Sequence, residues 1–469
     1  MSTLHSEAAQ RFNQNKEKTS WHDATFWALR QKRDAMAASL PEWEDLREHA
    51  NQIKRHTITH LADYLEQFAA QLESRGVIVH WAKDADQFNN TVLDILRKHG
   101  VKKMVKSKSM LTEECGMNPY LEQNGIDVVE TDLGERILQL LHQKPSHIVM
   151  PAIHLKREEV GKMFEEKGIS KEIGNYDPTY LTRCARQHLR NQFMEAGAGM
   201  TGCNFGVAKT GDIVVCTNEG NADMSTSMPK LHLVAMGIEK IVPDYSSVAV
   251  FQRLLSRSAT GQPTTAYTSH FRQARPGAEM HVILVDNGRS DTLADADHWQ
   301  TLKCIRCGSC MNTCPVYRRS GGYSYTYFIP GPIGINLGML RDASRYSDNV
   351  SACTLCLSCD NVCPTKVGPG SQVYLWRQKL DSLHRADPMK KIMSEGMEVL
   401  FEHPHLYASA LKLAPLANVI PDGLTHIRYV NPWGVGHEKP HFARESFQTM
   451  WKKGKVKLVD ELTRRRVDE

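Results

Sequence analysis

Two stretches decide how this chain reads: residues 304–315, CIRCGSCMNTCP, and residues 353–364, CTLCLSCDNVCP. Each spells C-x-x-C-x-x-C-x-x-x-C-P, the ligand pattern of bacterial [4Fe–4S] ferredoxins. The x-x spacings let three thiolates converge from one tight loop. The fourth cysteine lies one turn onward, so it points elsewhere, and in two-cluster ferredoxins it ligates the other cluster. The expected cluster ligands are therefore Cys304, Cys307, Cys310 and Cys363 for one cluster, and Cys353, Cys356, Cys359 and Cys314 for the other. Pro315 and Pro364 redirect the chain after each crossing ligand, because proline resists helix continuation. Structural zinc also uses C-x-x-C pairs, but it has no use for the third cysteine or the trailing proline.

Downstream of the first run, residues 316–352 are long for a compact ferredoxin. They hold a glycine–proline loop at 329–334 (IPGPIG) and a helical stretch at 337–346. This resembles the helical two-cluster domains of respiratory iron–sulfur subunits. We expect the cluster domain to span residues 290–385, with residues 386–469 forming a helical and then basic tail. The basic run Lys452, Lys453, Lys455, Lys457 and Arg464 to Arg466 reads as a solvated face or as a dock for an acidic partner.

Upstream, residues 76–289 alternate short β-type runs with amphipathic helical stretches. The expected strands are 76–81 (GVIVHW), 101–106, 126–130 (IDVVE), 147–151 (HIVMP), 212–216, 240–242 and 281–285. Helices are expected at 85–99 and 134–142, and around 231–236. Interleaving of this kind predicts an α/β domain with a mainly parallel sheet covered on both faces. Residues 1–75 read as helical, with Leu61, Tyr64, Leu65, Phe68 and Leu72 at helical spacing. Trp21, Phe26 and Trp27 read as core or partner contacts.

Two segments of the α/β domain carry site candidates. Residues 196–202 (AGAGMTG) read as a tight glycine-rich turn, able to cradle an anion but lacking the dinucleotide fingerprint. In residues 210–223 (TGDIVVCTNEGNAD) a β-run delivers Thr217, Asn218, Glu219, Gly220 and Asn221 to a strand's carboxyl end, where ligands of open α/β sheets bind. Glu219 is the candidate catalytic residue, as a nucleophile or anchor, with the 197–202 turn nearby. Gly220 is expected to turn the backbone sharply, bringing Asn218 and Asn221 to one ligand. Glu130, His154 and Lys156 are expected along the same edge. Cys115, Cys184, Cys203 and Cys216 share no ligand spacing and read as buried thiols.

At 469 residues the chain exceeds one core, and about two to four domains are expected. Its 41% hydrophobic and 24% charged residues exclude a disordered or fibrous protein, and a net charge of +5 gives no reason to expect nucleic-acid binding. Neither a secretory leader nor a spanning apolar run is evident. Cytoplasmic residence is the expectation, with twelve cysteines serving as ligands or thiols before disulfides.

The residues 130–134 (ETDLG), 151–154 (PAIH) and 217–221 (TNEGN), followed by the doubled cysteine run, make the chain resemble the lactate-utilisation protein B family. That resemblance covers nearly the whole chain. It implies an α/β domain similar to the phosphosugar isomerase, CoA-transferase and formyltetrahydrofolate cyclo-ligase folds, followed by two [4Fe–4S] clusters. It also implies two partners, a cysteine-rich heterodisulfide-reductase-like subunit and a lone α/β lactate-utilisation subunit, acting together to oxidise L-lactate to pyruvate. The expected role is an electron-transfer subunit. The alternative is an enzyme whose α/β domain itself transforms a hydroxy acid or acyl thioester, with the clusters as electron outlet.

Overall fold

The computed structural model describes residues 5–382, 388–425 and 439–456. The chain divides into two compact units, residues 1–379 and 380–469.

Ten strands are described, all in the first unit: β1 (Ile78–Ala82), β2 (Lys103–Lys106), β3 (Asp127–Glu130), β4 (Ala198–Thr201), β5 (Phe205–Val207), β6 (Asp212–Thr217), β7 (Leu231–Gly237), β8 (Ile241–Val242), β9 (Tyr267–Phe271) and β10 (Glu279–Val285). Six of them form a sheet of order β1-β10-β7-β4-β2-β3, with every pairing parallel. Both faces are covered. Leu231, Leu233 and Ala235 pack with Phe88, Val92 and Leu96 on one side. Val234 and Met236 pack with Leu65, Phe68 and Leu72 on the other. The helix Ala85–Lys98 starts at Asp84, whose side chain accepts from the Gln87 N–H, and the helix Leu61–Glu73 follows the expected apolar spacing.

A second sheet of order β8-β5-β6-β9 sits beside the first, with β6 antiparallel to both β5 and β9. Its core joins Phe205, Val207, Val214 and Phe251 to Ile305 and Cys307 of the first cysteine run. The cysteine loop is thus rooted in the α/β domain's own packing.

Three expectations are corrected. Residues 231–236 form a strand, not a helix: the run is buried on both faces, so it shows no alternation that would mark it as β. Residues 198–201 are a central strand, not a turn. Gly199 is needed because a Cβ there would lie 1.7 Å from the Ser225 carbonyl oxygen, so it admits the helix Asn221–Ser227 against the sheet. Residues 147–151 are no strand but a turn. The Val149 and Met150 N–H groups both donate to His147 Nδ1 at 3.1 Å, while His147 Nε2 meets Asn312 Oδ1 at 3.0 Å. Burial pushes that imidazole down to about 3, so it stays neutral and can accept at Nδ1. The strands β5 and β9, and with them the second sheet, have no counterpart in the sequence reading.

The N-terminal helices Lys16–Ala38 and Trp43–Thr59 brace the cysteine region. Arg33 Nη2 donates to the Val362 carbonyl at 3.2 Å and Arg47 Nε to the Cys363 carbonyl at 3.0 Å. Phe26 is fully buried against Tyr317, while Trp27 lies under the Arg318 guanidinium. In the second unit the helix Pro404–Leu413 buries none of its residues, and Lys453 and Lys455 pair with Glu445. Lys457 and Arg464 to Arg466 lie outside the described residues. Among the described residues, no helix is long and apolar enough to cross a membrane.

Candidate functional site

The two cysteine runs fold alike. Arg306 and Leu355 both take left-handed backbone, as do Gly308 and Leu357 one cysteine further on. The short helices Ser309–Thr313 and Ser358–Val362 follow at the same offset, and both fourth cysteines leave in extended conformation. Left-handed residues fold three cysteines inward within seven positions, which a helix or strand could not do.

Cys304, Cys307 and Cys310 line one small cavity together with Cys363 and Pro364 of the other run. Burial raises the Cys310 thiol well above its ordinary value, and Cys304, Cys307 and Cys363 raise it further. Cys314 instead faces Cys353 and Cys356: burial pushes it up to about 11, their charges add, and the Tyr317 and Val316 N–H groups oppose. The donor chemistry fits [4Fe–4S] clusters. The eight cysteines of the two runs are free, and the Arg306, Leu355 and Val367 N–H groups donate to Sγ of Cys304, Cys353 and Cys363.

Beside the first run lies a cavity of about 310 Å³. It opens at the carboxyl ends of β2, β4 and β7, where Lys108, Gly202 and Lys240 line it, and it reaches Arg306 and Cys307. Such an edge is where open parallel sheets bind ligands. Glu219 enters it from β6 of the second sheet, not from the main sheet as expected. Its Oε2 accepts the Leu133 N–H at 3.2 Å. Burial and the Asp132 charge push the carboxyl up to about 7, against the pull of that N–H and Lys108.

Thr217, Asn218 and Asn221 share the cavity wall with Glu219. Gly220 has an ordinary φ of −75°, so its freedom is not what turns this loop. Instead Thr217 Oγ1 donates to the Glu219 carbonyl at 2.8 Å, and Asn218 Oδ1 accepts from Ala266 N at 3.2 Å. Of the expected glycine-rich segment, only Gly202 lines the cavity. Glu130, His154 and Lys156 do not. Glu130 forms a buried pair with Lys106 at 2.7 Å, His154 bonds Ser146 and Tyr323, and Lys156 pairs with Glu17. Cys203 and Cys216 do line it, each held protonated with a value pushed up to about 12 by burial; Cys115 is buried elsewhere.

The sequence reading passed over a set of charges at the cavity's cluster end. Arg289 bridges two carboxylates: its Nε lies 2.5 Å from Glu239 and its Nη1 2.9 Å from Glu114. Burial works against the Glu239 charge, but Arg289, Lys240 and Arg306 hold it down at about 2. The one visible signal for this set was Arg306 standing where the second run has Leu355.

Residues 65–291 match the family model of the LUD domain, and residues 300–367 that of the 4Fe-4S dicluster domain. The chain is 40% identical over 400 residues to lactate utilization protein B of Oceanobacillus iheyensis, covering 83% of this chain and 82% of that one. It is 37% identical over 437 residues to YkgF, an uncharacterized electron transport protein of Escherichia coli (strain K12), covering 90% of each. A crystal structure of a DUF162 family protein from Deinococcus radiodurans aligns with 48% of this chain and 98% of its own, at 13% identity and a TM-score of 0.28. The dicluster domain carries two [4Fe–4S] clusters. With a LUD domain ahead of that dicluster domain, and relatives at this identity over more than four fifths of its length, the chain belongs to the lactate utilization protein B family.

Proposed function

We propose that the chain is the iron–sulfur electron-transfer subunit of a complex that oxidises L-lactate to pyruvate. One observation carries this reading: a single cavity is lined both by the Glu219 loop and by Cys307 of the first cysteine run. The names of the relatives, lactate utilization and electron transport, supply the substrate and the role. Converting a 2-hydroxy acid to a 2-oxo acid breaks one C–H and one O–H bond and releases two electrons and two protons. When bound, the clusters accept and pass electrons singly. Cys304, Cys307, Cys310 and Cys363 hold one cluster in this reading, and Cys353, Cys356, Cys359 and Cys314 the other.

Glu219, poised near neutrality, is suited to take one of the protons. Its Oε2 is occupied by the Leu133 N–H, which leaves Oε1 for that role. The first run is anchored in the core through Ile305 and Cys307, whereas in the second Cys356 is exposed and Leu357 is 42% exposed, so the second run offers the face for an electron-carrying partner. The partners are a cysteine-rich heterodisulfide-reductase-like subunit and a lone α/β lactate-utilisation subunit. The free cysteines suit a reducing compartment, the cytoplasm. A second reading draws on the same cavity: the α/β domain itself transforms the hydroxy acid or an acyl thioester, with the clusters as outlet.

Glu219→Gln tests the reading because it keeps shape and removes charge. The variant should retain both clusters and assembly but lose lactate-dependent reduction of the complex. Unchanged reduction would make Glu219 a loop residue and the α/β domain a docking scaffold. Lactate-dependent bleaching of the purified chain without partners would select the second reading.

A further inference from the structure

We propose that Lys240 and Arg306 bind the carboxylate of a small hydroxy acid at the end of the cavity that adjoins the first cysteine run. This deepens the function proposed above and rests on it.

The turn Ile238–Lys240 follows β7 and sends two adjacent side chains to different tasks. Glu239 is taken by Arg289. Lys240 lines the cavity, and its ammonium group forms no hydrogen bond or salt bridge among the described residues. Arg306 arrives from the cysteine loop. Its Nη1 is buried and has no partner. The two nearby carboxylates hydrogen-bond to Arg289 and not to Arg306: Arg289 Nη1 and Nη2 reach the two Glu114 oxygens at 2.9 and 3.0 Å, and Nε reaches Glu239. Cations outnumber carboxylates here: Arg289, Lys240, Arg306 and the buried Lys54 stand by Glu239, Glu114 is the second carboxylate, and Cys304 is the further negative group that Lys240 and Arg306 face.

Buried donors without partners are rare, because desolvation goes uncompensated. Two more unpartnered atoms line the same cavity, Asn221 Oδ1 and Ser256 Oγ. Asn221 Oδ1 can only accept, so it asks for a hydroxyl donor, and Ser256 Oγ can give or take. Two cations, an amide oxygen and a hydroxyl lining one cavity describe a ligand with an anionic group and a hydroxyl. A carboxylate matches the planar guanidinium of Arg306.

The competing role for these cations is to neutralise the cluster held by the first run. Lys240 and Arg306 both face Cys304 of that run, so the two roles are told apart by ligand binding at constant iron content. The experiment uses the full-length, cluster-loaded chain under anaerobic conditions, with L-lactate, pyruvate, glycolate, propionate and propane-1,2-diol as calorimetric probes. The wild-type chain should bind lactate and should not bind the diol, which lacks the carboxylate. Lys240→Met should weaken lactate at least about tenfold, the worth of one desolvated charge-assisted contact, with iron content unchanged. Asn221→Leu should weaken lactate more than propionate, which lacks the hydroxyl. Absence of any carboxylate binding, equal binding of the diol, or a Lys240→Met chain that shifts only the cluster's potential would overturn the site. Lys240-dependent binding of glycolate with none of lactate would uphold the site and overturn the lactate assignment.

Discussion

Arg306 and Leu355 stand at the same place in the two cysteine loops, with φ of 60° and 54°, and each donates its backbone N–H at 3.4 Å to the first cysteine sulfur of its run. Only the side chains differ. A cation beside thiolates favours the more negative, reduced cluster, so Arg306→Leu should lower the potential of the cluster bound by the first loop. Leu355→Arg should raise that of the other. Each shift should be on the order of 100 mV, the worth of a unit charge about 6–10 Å away at an effective dielectric constant near 20. Anaerobic redox titration followed by electron paramagnetic resonance reads both, and shifts of the opposite sign would dismiss the electrostatic argument.

Crossed ligation has its own test. Cys363 shares a cavity with Cys304, Cys307 and Cys310, while Cys314 faces Cys353 and Cys356. Cys363→Ser should disturb the cluster of the first run, and Cys314→Ser that of the second. Spectra in which each serine alters the cluster of its own run would refute the crossing.

Two glycines near the cavity should behave differently. At Gly199 a Cβ would collide with the Ser225 carbonyl oxygen, a backbone atom that cannot swing away. Gly199→Ala should cost about 1–3 kcal/mol or more and displace the helix that carries Asn221. Gly220 has an ordinary φ and meets only Tyr267, at 3.8 Å. Gly220→Ala should stay within about 0.5 kcal/mol. Thermal unfolding of the two variants checks the contrast, and equal losses would contradict it.

Three carboxyls near the cavity have raised values. Burial pushes Glu113 and Glu219 up to about 7 and Glu135 up to about 8, and neighbouring acids add to each shift. An acid raised on folding binds more protons folded than unfolded, so its contribution is present below the unfolded value of 4.5. That contribution is lost as pH rises through the folded value, and stability levels off above about 8. Buried histidines such as His147 act with the opposite sign, so the clean measurement is a difference. Glu135→Gln should gain stability relative to wild type as pH rises from 5.5 to about 8, read by urea unfolding. A pH-independent difference would show that Glu135 is ionised throughout.

Local pattern determined a good part of this protein from the sequence alone. Thiolate spacing is a property of a few consecutive residues, so the two cluster loops were legible. So were the strands β1 to β3 and the helix Ala85–Lys98, whose caps and periodicity are also local. The Thr217 to Asn221 loop was found because it follows a β-run directly. The remainder depends on burial and on distant partners. Residues 231–237 are a strand because both faces meet the core, which erases the alternation a sequence could show. Residues 198–201 are a strand because Gly199 lets a helix close on them, and that partner lies beyond any local window. Lys240 and Arg306 carry no motif. They share one cavity because the first cysteine loop packs, through Ile305 and Cys307, into the core of the second sheet.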